Sequence, residues 1–131
     1  MRKLICAAVC SLALALWLAP AGADTEAQPA GDPPQVLEGR LIDLRCHTMG
    51  MEGDQHATCA LQCAQKGLPV GLKEQTGKLY TVLLPAPKLA SYMEKQVRLT
   101  GRVHDGALLA PTKMEVREGT GWKEVELPAA M

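Results

Sequence analysis

With 131 residues, 14 basic against 14 acidic and a formal net charge of zero, the chain is long enough for one domain and too short for two. The balanced charge leaves no basic stripe, and 3% aromatics with no Phe leave no stacking platform, which excludes nucleic acid as a partner. A core has to be built from Leu, Val, Ala and Met.

The N-terminus has the layout of a secretory signal peptide. Met1-Arg2-Lys3 is a short basic region. Leu4 to Leu18 is apolar apart from Ser11, Pro20 breaks the run, and Ala21-Gly22-Ala23 is a small-x-small cleavage site. The apolar run falls short of the ~20 residues a membrane span needs. Val9 is bulky where lipid attachment at Cys10 would call for a small residue. Cleavage after Ala23 predicts an exported protein, periplasmic or extracellular, with no stable membrane span. Cys6, Cys10 and Trp17 leave with the peptide, as do Arg2 and Lys3. The mature chain then keeps three of five cysteines and 12 basic against 14 acidic residues, a net charge of −2.

Residues 24–35 hold Pro, Gly and charge but no apolar side chain larger than Ala. They cannot bury enough to offset their ordering entropy and are expected to be a flexible tether. One domain is expected over 36–127, with 128–131 a tail. Val36 to Leu44 has strand composition, with Gly39 a candidate bulge or bend. The first half of the Cys46–Cys63 stretch, with Gly50 and Gly53, is expected as loop. A helix is predicted from about His56 to Lys66, capped by Asp54 or Thr58 and ended by Gly67, with Pro69 beyond.

Pro69 to Lys73 is a short second strand and Gln75 to Lys78 a turn. Leu79 to Leu84 is a third strand, and Pro87 opens a short helix through about Met93. Gln96 to His104 alternates, with Val97, Leu99, Gly101 and Val103 on one face, as in a half-buried strand. Asp105-Gly106 signals a type I′ hairpin. Ala107 to Val116 is the next strand, with Pro111 marking an edge or bulge. Glu118 to Gly121 is a turn before a last strand from Trp122 to Leu127. The sum is a mainly β domain with one or two short helices. A small OB-like antiparallel barrel is expected, with a two-layer α+β roll as the alternative.

The chemistry concentrates in C-H-T-M-G-M-E-G-D-Q-H-A-T-C-A-L-Q-C, Cys46 to Cys63. Cys59 and Cys63, spaced i, i+4 on a helix, share a face with Cβ atoms about 5–6 Å apart. That is too far for a disulfide without breaking the helix, yet within span of one metal ion. Cys46 reaches across from the end of the first strand. With His56 at i−3 from Cys59, the set Cys46, His56, Cys59 and Cys63 is a recognised tetrahedral combination. His47, Met49 and Met51 are possible additional ligands. Thioether, thiolate and imidazole together suit copper as readily as zinc. Two other uses of the cysteines stay open. One is a disulfide joining Cys46 to Cys59 or Cys63, as exported proteins form, in a binding module without metal. The other is a thiol redox pair with Cys59 as nucleophile. Met49 and Met51 can equally be loop or core residues, and Asp43 is expected to cap a backbone turn. His104 and the charged run Glu115, Arg117, Glu118, Lys123, Glu124 and Glu126 are expected in solvent. No C-x-x-C-H, C-x-x-C, G-x-S-x-G, P-loop or H-E-x-x-H occurs, so no catalytic residue is assigned.

The series Gly39-Arg40-Leu41-Ile42-Asp43-Leu44-Arg45-Cys46, then His56, then Cys59-Ala60-Leu61-Gln62-Cys63 and Gly67 resembles a group of small exported bacterial domains of unknown function. These share a G-x-[IV]-x-D-x-x-C strand, a C-x-x-x-C helix and a following glycine. Gly77-Lys78-Leu79-Tyr80 and Val97 to Val103 match their later strands, and Leu41 departs from their Ile or Val. The resemblance covers Val36 to about Val116. It implies an OB-like β domain with recurring cysteines, and neither an activity nor a choice between metal and disulfide.

Overall fold

A strand that changes partners halfway organises the sheet. The computed structural model describes residues 32–127. The expected signal peptide, most of the expected tether and the expected C-terminal tail lie outside the described residues. β1 (Gln35–Asp43) pairs antiparallel with β4 (Gln96–His104) over Gln35 to Arg40 and with β2 (Val70–Lys73) over Arg40 to Asp43. Gly39 sits at this crossing, where a Cβ would collide with the Lys73 carbonyl. The missing side chain lets two neighbours close on one strand.

β3 (Leu79–Val82) continues antiparallel from β2, and β5 (Leu108–Glu118) pairs antiparallel with β4. A short parallel pairing of Thr81 and Val82 with Leu108 and Leu109 joins β3 to β5 and closes the ring. β6 (Gly121–Val125) adds outside it, on β5. The expected mainly antiparallel β architecture is therefore present, as a closed ring of strands. At Asp105 (φ 49°) and Gly106 (φ 72°) both central turn residues are left-handed, as type I′ demands. Pro111 lies opposite Gly101, and the register shifts between Thr100 and Gly101, the expected bulge.

Among the described residues three short helices and two 3-10 turns decorate the ring. α1 (Leu44–Thr48) occupies the segment expected as loop. α2 (Ala57–Gln65) follows a 3-10 turn at Asp54–His56. α3 (Ala86–Leu89) with a 3-10 turn at Ala90–Tyr92 bridges β3 to β4. α2 begins at neither expected cap: His56 is its N-cap and makes no side-chain capping bond. Its end is as expected, with Gly67 (φ 85°) donating to Ala64 and Leu68 donating to Cys63, the Schellman pattern. Ala60 and Ala64 are its buried face, small enough to seat the helix against the ring.

The core inside the ring holds Leu41, Leu72, Val97, Leu99, Leu109 and Met114, each fully buried or nearly so. Among the described residues no helix is long and apolar enough to cross a membrane.

Candidate metal centre

Everything between β1 and β2 is one insertion, and it carries all three cysteines of the described chain. β1 ends at Asp43, whose Oδ1 accepts the Cys46 backbone N–H at 2.6 Å and so caps α1. The cap turns the chain sharply and drives Cys46 inward, to 3% exposure. The N–H groups of Met49 (3.0 Å) and Met51 (2.9 Å) then both donate to the Cys46 carbonyl, folding the chain back over it.

The return limb is pinned from the ring. Gly53 donates its N–H to Glu94 Oε2 at 2.9 Å, and Arg40 lies 3.6 Å from the same oxygen and 3.7 Å from Asp54. Glu94 is buried and holds a left-handed backbone, φ 62°, unusual for a residue with a side chain. Lys73 donates to Glu52, and His47 Nδ1 lies 3.2 Å from the other Glu52 oxygen. The Lys73 bond, and less strongly the one from His47, holds the Glu52 carboxyl below its usual range. An open cleft of about 310 Å³ runs beside this limb, and its two cations, Arg40 and Lys73, are already paired.

α2 presents Cys59 and Cys63 one turn apart, Cys59 exposed and Cys63 half-buried. The sulfurs of Cys46, Cys59 and Cys63 all lie within 4.8 Å of one another, with Cys46 and Cys59 3.9 Å apart. Two sulfurs each ~2.3 Å from one ion stand about this far apart. No pair is at the ~2.05 Å of a disulfide, and all three cysteines are free.

The surroundings favour neutral thiols when no cation is near. Burial pushes the Cys46 thiol up to about 12, helped by the Asp43 carboxylate and by Cys59. Burial also raises Cys63, with Asp43 again contributing. Asp43 is itself 1% exposed, and its Oδ2 has no hydrogen-bond partner. A buried carboxylate with an unpartnered oxygen near the Cys46 and Cys63 thiols is a costly arrangement that a cation would relieve.

The other expected ligands are not gathered so closely. His56, half-buried at the N-cap of α2, stands outside the group of mutually close ligand atoms. His47 is engaged with Glu52, Met49 is 52% exposed, and Met51 is half-buried. Asp43 is the turn cap expected of it. Glu94 carried no sequence signal, since nothing in Met93-Glu94-Lys95 marks a left-handed position.

No protein-family model, curated protein or solved structure matches the chain.

Proposed function

We propose that this protein is an exported binding protein for a soft or borderline transition metal, copper or zinc, held by Cys46, Cys59 and Cys63. The observation that carries this reading is the convergence of three free sulfurs within 4.8 Å, drawn from two helices. Export is supported by the layout of Met1 to Ala23 and by the resemblance to small exported domains. The role is metal binding, carriage or sensing, without catalysis. His56, three residues before Cys59, is the candidate for a further ligand, with His47, Met49 and Met51 behind it.

Metal per chain, measured on protein purified without chelator, tests this. One equivalent is expected in the wild type and none in Cys63→Ser. A weaker site in His56→Ala would add the imidazole to the set, and unchanged stoichiometry and affinity would remove it.

A second reading rests on the 3.9 Å between Cys46 and Cys59. In an oxidising compartment these two are placed to form a staple, leaving Cys63 spare. The chain would then be a disulfide-stapled binding module for some other ligand. The thiol redox reading, with Cys59 as nucleophile, is supported less, because the thiols left to resolve it, Cys46 and Cys63, are pushed up by burial, away from the thiolate that must attack.

A further inference from the structure

We infer that the bound ion is monovalent copper, held by the three sulfurs of Cys46, Cys59 and Cys63 with no histidine or carboxylate ligand. This rests on the metal reading above and narrows it to one ion class and one coordination number.

The donor count decides. Among the described residues no fourth His, Cys, Asp or Glu joins the three sulfurs within mutual reach of one ion. Structural zinc is held by four protein ligands, and iron–sulfur clusters by four. Zinc sites with three protein ligands are built mainly on imidazole and carboxylate, not on three thiolates. Soft thiolates suit monovalent copper, zinc and iron–sulfur clusters alike, and of these monovalent copper is the one whose shell three thiolates complete. Spacing agrees without choosing: sulfurs ~2.3 Å from an ion stand ~4.0 Å apart at a trigonal angle and ~3.8 Å at a tetrahedral one. The 3.9 Å separating the Cys46 and Cys59 sulfurs lies between these.

Two further observations point to a cation here. Asp43 Oδ2 is buried without a hydrogen-bond partner, on the residue whose other oxygen caps the turn carrying Cys46. The cluster also has an inside and an outside. Cys46 is the floor and Cys59 faces solvent, so an ion can enter or leave by exchanging one exposed sulfur.

The test loads the full chain with Cu(I) without oxygen and reads copper X-ray absorption in the wild type, Cys46→Ser, Cys59→Ser and His56→Ala. Circular dichroism confirms that each variant is folded, and Cys59, being exposed, serves where a change at buried Cys46 disturbs the fold. The expected result is one copper with three sulfur neighbours, two in either Cys variant, and no change in His56→Ala. A nitrogen neighbour lost in His56→Ala would overturn the three-sulfur assignment while leaving metal binding intact. So would two sulfurs in the wild type with no response to Cys46→Ser or to Cys59→Ser. Copper uptake no greater than that of a chain with all three cysteines changed to Ser would overturn the metal reading itself, and this inference with it.

Discussion

Asp43 serves the backbone with one oxygen and bears on the thiols with its charge. Its Oδ1 caps α1, and its carboxylate adds to burial, the larger cause, in raising the thiols of Cys46 and Cys63. The two roles separate by substitution. Asp43→Asn keeps an acceptor at the cap while removing the charge, so α1 should persist and the two thiols should titrate at lower pH, read by thiolate absorbance. Asp43→Ala loses the cap as well, at a cost of about 1 kcal/mol in denaturant unfolding. The same thiol sets an alkaline limit. Cys46 rises from 9.0 to about 12 on folding, so the native state prefers the neutral form and the unfolded chain deprotonates first. Its stabilising contribution is complete below pH 9 and is lost as the pH rises from there through about 12. The reduced, metal-free protein should therefore show a urea midpoint that falls above pH 9, and falls less in Asp43→Asn. A midpoint unchanged across that range would mean the thiol is not held neutral by its site.

The decisive element is the insertion between β1 and β2, and Glu94 ties it down. A left-handed backbone at a residue with a Cβ costs about 1–2 kcal/mol. Here it aims a buried carboxylate at Gly53 and Arg40. Glu94→Gly should relieve that strain while releasing the tie. Unfolding free energy should stay within about 1 kcal/mol of wild type, while metal affinity falls in a chelator competition. Affinity equal to wild type would show that the tie does not position the cluster. Gly101 makes the opposite case: a Cβ there would strike the β5 backbone at Ala110 and Pro111. Gly101→Ala should cost about 1–3 kcal/mol by urea unfolding.

The elements readable from the sequence are those whose signals are local. β4 alternates over nine residues, Asp105-Gly106 demands its turn, Pro111 needs its bulge, and Gly67 ends α2. α1 was not readable because five residues are too few for a helical period, and its one signal, Asp43, also suits a plain turn. The parallel pairing of β3 with β5 joins residues far apart in sequence, beyond any local pattern. At the site, the three sulfurs were legible from i, i+4 spacing and clustering. The stance of His56 depends on where α2 starts, and the 3-10 turn at Asp54–His56 decided that.

On the scale of the whole molecule, the core cluster closes without the cysteine side chains, although α2 is seated in it by Ala60 and Ala64. The buried core cluster runs from Leu37 to Val116 and includes none of the three cysteines. The domain should thus fold without its ion, unlike a zinc finger. Chelation should lower the thermal midpoint only by the lost binding energy and leave unfolding cooperative. Leu99→Ala, inside the ring, should cost about 2–5 kcal/mol, against about 0.5 kcal/mol or less for exposed Cys59→Ser in metal-free protein. The charged face behaves as surface, with Lys113 joined to Glu115 and Glu124, and Arg98 and Arg117 4.2 and 5.4 Å from the Trp122 ring centre.

Native mass spectrometry of the chain, purified from cells without chelator or reductant, tests the metal centre most directly. A bound-ion mass lost on acidification, leaving three thiols open to alkylation, is the predicted result. A chain lighter by two hydrogens, carrying no ion and a single free thiol among Cys46, Cys59 and Cys63, would contradict it and make the cluster a disulfide staple.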